Sequence, residues 1–308
     1  MENNQLTAEI IKKAVLPLGK NSHKGQNGKV LIIGGSPLFH GAGRLSAKAS
    51  CEVLETIVSF SSRTNDMVFF CSTEENLNIV KSKQECFIGI RREQVSNYIP
   101  TSDAILVGPG MMREKDIGFP ATDNEQEITK NMTNLVLDSG KKCVLDAGSL
   151  QVIKPGALKG KDKVIITPHS KELKMLFGID TEDTFLGAES NLEQITKVAQ
   201  IISTIAKEYG IVLVLKGPVD LIVGPRYWFY SPGGSPGMTK GGTGDILAGV
   251  ITALYSRTDD PLIAACAGSF LLKRAGEEIE KKQDWFFNST DLAEEISKTL
   301  SKILSNSV

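Results

Sequence analysis

Residues 241–245 read Gly-Gly-Thr-Gly-Asp, and directly behind them Ile246, Leu247, Val250, Ile251 and Leu254 recur at helical spacing. That stripe predicts a helix over 243–255 with one buried face, which puts Gly241, Gly242, Thr243 and Gly244 at its amino end. Glycines leave amide hydrogens unobstructed, and a helix start carries the positive end of its dipole. Together they suit an anion, phosphate oxygens above all. Asp245 conflicts with a pure anion site, because a carboxylate repels phosphate. It fits a site where it accepts a proton from, or positions, a hydroxyl that meets a phosphoryl group. An acid in the first turn also complements the dipole, but a mere cap does not call for so many glycines.

Other glycines and a histidine stand where apolar runs end. In "IIGGSPLFHGAG" (32–43) free amides precede a helix expected from about residue 42, an arrangement that could seat an anion. It lacks both the GxGxxG spacing of a dinucleotide fold and the GKS or GKT ending of a P-loop, and glycines of a tight turn account for it equally well. In "VGPGM" (107–111), Gly108 and Gly110 would let a flat ligand reach the backbone, or simply make a turn. His169 in "TPHSKELKMLFG" lies between a strand and a short helix, with Ser170 as the expected cap and Gly178 as terminator. It is either a hydrogen-bonding structural residue or part of a site.

The elements that must position these residues follow from patterning. Seven short apolar runs, at 29–35, 67–71, 86–90, 104–110, 143–148, 164–169 and 211–217, are hydrophobic throughout instead of alternating. That marks strands covered on both faces, as in a parallel sheet. Helical patterns lie between them, the clearest at 190–209 before Gly210, so the order is β-α-β alternation. "DLIVGPRYWFYS" (220–231) reads as an antiparallel hairpin around a Gly-Pro turn. Helices at 243–255, 260–281 and 289–304 follow, the last two capped by "DDP" and "NSTD". The polar stretch 111–134 is expected to be a surface insertion with a partial helix, and 1–23 an N-terminal helix or extension. The expected architecture is α/β: a mostly parallel sheet with helices on both faces and an antiparallel hairpin at one edge, in a single domain over 1–308.

Composition narrows the ligand. Among 308 residues, 35 basic and 36 acidic side chains leave a net charge of -1, so no global field draws the chain to nucleic acid or an anionic membrane. Five scattered cysteines without CxxC spacing argue against a disulfide framework or a zinc site. No signal pattern opens the chain and no apolar run has the length of a membrane span. The expectation is a cytoplasmic protein with a small ligand and no metal held by side chains alone.

The order "KGQNGKVLIIGGS", "HGAGRLSAKA", "VGPG", "VLDAGSL", "TPHSKEL", "VLKG" and "SPGMTKGGTGDILAGVITAL" resembles the NAD(P)H-hydrate dehydratases, a branch of the ribokinase-like superfamily. The resemblance spans the chain from about Lys24 to the helix after 260. It implies a three-layer ribokinase-like fold and a cofactor-repair enzyme, a lyase, which phosphorylates the ring hydroxyl of hydrated NADH or NADPH from ATP or ADP and eliminates phosphate. It further implies that Asp245 acts on that hydroxyl and that the amides of Gly242, Thr243 and Gly244 stabilise the transferred phosphoryl group. Mg2+ would bridge the nucleotide phosphates. By match to the family's motifs, Ala42, Gly110, His169 and Asp245 would line the hydrate site. Lys216, Gly217, Pro218, Val219, Asp220 and Gly244 would hold the adenine nucleotide. A homo-oligomer is also implied.

Four departures stand out. Gly148 occupies the place of the second acid in the family's "VLDAD", leaving Asp146 alone, and "LETIVSFSS" replaces the usual "RSGAGLV". Asp220 stands where threonine is common, and Lys240 where a smaller residue is usual, either contacting phosphate or pointing to solvent. Two other readings remain open at the level of sequence. One is a kinase of the same superfamily acting on a vitamin-precursor alcohol, which would use the same glycines and Asp245. The other is a nucleotide-binding protein without catalysis, against which the presence of Asp245 argues.

Overall fold

The computed structural model describes residues 4–15, 28–61, 66–82, 86–113, 124–180 and 185–306. The seven expected apolar runs all form strands: β1 (Lys29–Ile33), β2 (Met67–Ser72), β3 (Ile88–Arg91), β4 (Ala104–Val107), β5 (Cys143–Leu145), β6 (Val164–Ile166) and β7 (Val212–Leu215). The hairpin is β8 (Asp220–Val223) and β9 (Trp228–Ser231). All nine make one sheet in the order β3-β2-β1-β4-β5-β6-β7-β8-β9, parallel through β7 and antiparallel at β8 and β9. Several strands stop two or three residues before the apolar run does. There the glycine, proline or aspartate that follows turns out of the ladder, and those residues become the loops at the carboxyl edge.

The helices are α1 (Glu9–Ala14), α2 (His40–Ser61), α3 (Glu74–Lys81), α4 (Val95–Tyr98), α5 (Glu125–Asp138), α6 (Gly148–Val152), α7 (Ser170–Phe177), α8 (Leu192–Tyr209), α9 (Thr243–Tyr255), α10 (Pro261–Gln283) and α11 (Ser289–Ser305). They cover both faces of the sheet. Val30, Ile32, Val68 and Phe70 pack with α1, α2, α9, α10 and α11, while their strand neighbours Leu31, Ile33, Phe69 and Cys71 pack with α5, α7 and α8 on the other side. Two buried faces explain why the strands are apolar throughout. Among the described residues no helix is long and apolar enough to cross a membrane, and the five cysteines are free thiols.

Three expectations need correction. First, α2 begins at His40, two residues earlier than expected. Second, the polar stretch 111–134 is not simply a surface insertion. Met111 and Met112 are buried, and α5 is the crossover helix between β4 and β5, burying Thr129, Thr133, Val136 and Leu137. Its threonines disguise the buried face: the Thr129 hydroxyl donates to the carbonyls of Met112 and Glu125, and that of Thr133 to Thr129, so a polar residue can sit inward. Residues 114–123 lie outside the described residues, as do 1–3 and 16–23 of the expected N-terminal extension. Third, the cap of α7 is His169, not Ser170.

The first residues of the described chain close an edge. Tyr230 N–H donates to the Asn4 carbonyl at 3.0 Å, and Leu6 N–H to the Tyr230 carbonyl at 3.0 Å, so residues 4–6 lie along β9. On the helical face, Ser46 Oγ donates to the Asp245 carbonyl at 2.8 Å and Ser50 Oγ to the Gly249 carbonyl at 2.9 Å. These two bonds fasten α9 to α2. The contact is close: a Cβ on Gly249 would lie 2.3 Å from the Ser46 carbonyl oxygen.

Candidate active site

In an open parallel sheet, ligands bind beyond the carboxyl ends of the strands, where the strand order reverses. Here the order reverses at β1 and β4, whose ends carry Gly34–Gly35 and Gly108–Gly110. Gly35 N–H donates to the Pro109 carbonyl at 2.8 Å, tying the two loops together. Arg92 braces them, donating to the Gly35 carbonyl at 2.8 Å and twice to Glu125. Ala42 lies against Gly110: a Cβ on that glycine would lie 3.0 Å from the alanine methyl. Two of the expected hydrate-site residues are thus neighbours.

Farther along the edge, β5, β6 and β7 deliver Asp146, Thr167 and Lys216 to one point. Thr167 Oγ1 donates to Asp146 Oδ1 at 2.8 Å, and Lys216 Nζ to the same oxygen at 2.6 Å. Glu172, in the first turn of α7, places Oε2 3.8 Å from Lys216 Nζ. Asp146 and Glu172 are buried and the Lys216 side chain is 16% exposed. Burial alone would lower the Lys216 ammonium. Asp146, then Glu172, and more weakly Asp245 overturn that and hold it above the ordinary lysine value, so it is charged.

His169 joins this cluster through the backbone. Its Nδ1 accepts from Glu172 N–H at 3.2 Å and its own N–H donates to Glu172 Oε2 at 3.0 Å, a reciprocal cap. With Nδ1 accepting, the ring proton sits on Nε2, on a side chain that is half exposed.

α9 begins where expected, with Gly242 as N-cap. Gly242 has φ of +98°, and a Cβ there would meet Leu45 and Ser289 at 2.7 Å, so only glycine fits. Thr243 Oγ1 donates to the Met238 carbonyl at 2.8 Å and Ser289 Oγ to the Gly241 carbonyl at 2.6 Å, which hold the loop from both sides. Lys240 neither reaches the cradle nor points to solvent: its ammonium donates to the Phe287 carbonyl and lies 4.3 Å from the Phe287 ring centroid. Lys216 Nζ would lie 3.4 Å from a Cβ on Gly244, which brings the strand cluster to the amino end of α9.

Asp245 is the exception in this hydrogen-bonded surround, because no described residue donates to its carboxylate. Desolvation, reinforced by the Asp146 carboxylate and resisted by Lys216, pushes it up to about 7. A carboxylate that titrates near neutrality beside an ammonium and bare amides can exchange a proton with a ligand under working conditions.

Of the expected nucleotide residues, Gly217 and Pro218 form the turn between β7 and β8, Val219 is buried, and Asp220 is buried with its carboxylate accepting from Gly217 N–H and Ser269 Oγ. Gly148, in the place of the family's second acid, is fixed by packing, since a Cβ there would lie 2.3 Å from the Met111 carbonyl oxygen. Sequence reasoning missed Glu172 and Thr167 as members of the site. Glu172 gave no capping-box signal, because the residue three before it is His169 and not Ser, Thr, Asp or Asn. Thr167 had none.

Comparison with known proteins decides the family. A family model described as NAD(P)H-hydrate dehydratase matches residues 30–298. The chain belongs to that family. Among its relatives, the ADP-dependent (S)-NAD(P)H-hydrate dehydratase of Cenarchaeum symbiosum is 30% identical, the alignment covering 96% of each chain. That of Nitrosopumilus maritimus is 29% identical over 97% of this chain and 98% of its own. The ADP/ATP-dependent NAD(P)H-hydrate dehydratase of Bacillus subtilis, co-crystallised with ATP/Mg2+, superposes with a TM-score of 0.73 at 23% identity, covering 99% of both chains. At that identity the superposition speaks to fold, and so does that of a ribokinase-like superfamily protein of Enterococcus faecalis, with a TM-score of 0.75 at 21% identity covering 97% of this chain and 96% of that one; the fold of this dehydratase-family chain is the expected ribokinase-like one.

Proposed function

We propose that this chain is an adenine-nucleotide-dependent (S)-NAD(P)H-hydrate dehydratase, and that Asp245 is its base. The observation that carries this is the unpartnered Asp245 carboxylate on the first turn of α9, beside the bare amides of 242–244 and the Lys216 ammonium. In this reading Asp245 takes the proton of the ring hydroxyl as its oxygen attacks the terminal phosphorus of the nucleotide. The phosphorus–oxygen bond to the leaving nucleotide breaks, and the amides of Gly242, Thr243 and Gly244 with Lys216 take up the charge on the transferred group. The carbon–oxygen bond of the phosphorylated hydrate then breaks, phosphate departs, a proton leaves the adjacent carbon, and the ring double bond returns.

Ala42, Gly110 and His169 would border the hydrate, His169 offering its Nε2 proton. The Gly217–Pro218 turn would border the nucleotide. Magnesium is compatible with the residues present. Among the described residues no three His, Cys, Asp or Glu side chains could hold an ion, but magnesium is ordinarily held by phosphates with one or two carboxylates. Asp146 Oδ2 and Glu172 Oε1, which receive no hydrogen bond from a described residue, would be its protein ligands. When bound it would neutralise phosphate charge.

The test is recovery of the reduced-nicotinamide absorbance from hydrated NADPH and from hydrated NADH, with magnesium and either ATP or ADP. Nucleotide-dependent recovery is expected and names the donor. Accumulation of a phosphorylated alcohol without recovery, or nucleotide binding without turnover, would defeat the reading.

A further inference from the structure

Among the buried ionic groups that the mechanism leaves unused, one lies against the proposed nucleotide turn. Lys273, in the middle of α10, is 7% exposed, and its ammonium lies beneath the β7–β8 turn. There Nζ donates to the Gly217 carbonyl at 2.6 Å and the Pro218 carbonyl at 2.9 Å, and stands 3.5 Å from Asp220 Oδ1. Asp220, 4% exposed, completes the set: Oδ1 accepts from Gly217 N–H at 3.0 Å and Oδ2 from Ser269 Oγ at 2.7 Å. The same helix reaches the glycine loop. Gly234 N–H donates to Glu277 Oε1 at 3.3 Å, and a Cβ on Gly234 would meet the Lys273 stem at 3.1 Å. Ser269, Lys273 and Glu277 are spaced by four and so share one stripe of α10.

Burying an ammonium and a carboxylate is costly unless each is paired and hydrogen-bonded. Here both are, and three of the four hydrogen bonds they make end on the backbone of Gly217 and Pro218. Apolar replacements would fill the same space but take these partners from the Gly217 and Pro218 carbonyls and the Gly217 amide, so the charges hold the backbone of the turn as well as each other. What the charges add is direction: both carbonyls of Gly217 and Pro218 are turned into the core, and the Gly217 amide is fixed at the same time.

We propose that Lys273, acting with Asp220, is the positioning residue that sets the 217–220 turn for nucleotide binding. It touches no reacting atom. The inference rests on the proposed nucleotide site, and the departure at Asp220 becomes intelligible, because a carboxylate there is the counterpart of Lys273.

The test compares Lys273→Met and the double variant Asp220→Thr with Lys273→Met, in which no buried charge is left unpaired. Three quantities are read in each: the dissociation constants of ATP and ADP, the KM of the hydrate, and amide hydrogen exchange over 216–220. Both variants are expected to weaken nucleotide binding by roughly tenfold or more, since small misplacements of a binding element are costly. Amide exchange in the turn should quicken, and the hydrate KM should stay within about twofold of its original value. Nucleotide affinity restored in the double variant would mean that an unpaired Asp220 alone caused the loss, and would overturn the proposal. So would unchanged exchange in the turn, or equal losses for both substrates. If Lys273→Met does not fold, the double variant carries the same readouts. Failure of the unsubstituted protein to bind ATP or ADP sinks the proposed function itself, whereas the exchange measurement still reports on the turn.

Discussion

At the residue scale, Asp245 does not rest in a comfortable environment. Its ionised form is desolvated and faces Asp146, with only Lys216 in its favour. If it is the base, Asp245→Asn abolishes turnover and leaves nucleotide affinity within a fewfold, to be read by kinetics beside calorimetry. An equal loss of both would mark a structural role. The rate should also fall as pH drops through about 7, where the base becomes protonated. The stability consequence has the opposite sign. A carboxyl raised in the folded state binds its proton more tightly there than in the unfolded chain, so this group favours folding at low pH. That contribution is lost as pH rises from about 4 toward about 7. Asp245→Asn should therefore raise the unfolding midpoint at pH 8 and leave it nearly unchanged at pH 4. A lowered midpoint at pH 8 would count against the desolvation argument.

At the element scale, the site depends on how closely α9 approaches α2. Ser46 holds the carbonyl of Asp245 itself, and one turn later a Cβ on Gly249 would collide with the Ser46 backbone. Gly249→Ala is expected to cost about 1–3 kcal/mol in chemical denaturation, the usual range for overpacking. It should also lower kcat, because the shift moves Asp245 and the 242–244 amides together. Preserved kcat would mean that α9 yields without moving its first turn.

The elements were largely legible because their signals were local. α9 had an unbroken apolar stripe, α8 its cap and its terminal glycine, and the strands were apolar on both faces. α5 was misread because its buried face includes Thr129 and Thr133, whose hydroxyls are satisfied within the helix and by Met112. The site was half legible. Asp245 and its glycines announce themselves by spacing, whereas the Asp146–Thr167–Lys216–Glu172 cluster comes from four separate segments that only the sheet brings together. The pairing of Asp220 with Lys273 was hidden for the same reason. Nothing in 217–220 shows that its counter-charge lies on α10.

At the scale of the whole molecule, the sheet has one edge covered by the chain's own backbone. β9 would be an open edge, and residues 4–6 cover it through Tyr230. Exposed edges invite pairing with other chains. Leu6 is buried in that seam, so Leu6→Asp should release the segment and raise the light-scattering mass with protein concentration relative to the unsubstituted chain. An unchanged mass would mean that β9 does not need its cover.

The seam between α2 and α9 also fixes an order of events during synthesis. Ser46 and Asp245 are 199 residues apart, and at about 5–20 residues per second a ribosome needs roughly 10–40 s to make the stretch between them. For most of that interval α2 has been made while the apolar face that will receive α9 is bare. The chain must therefore keep a long hydrophobic helix from other partners until the segment bearing its proposed base is made. The segment that completes the proposed site begins to cover that face, and α11, which also packs on α2, follows it later still.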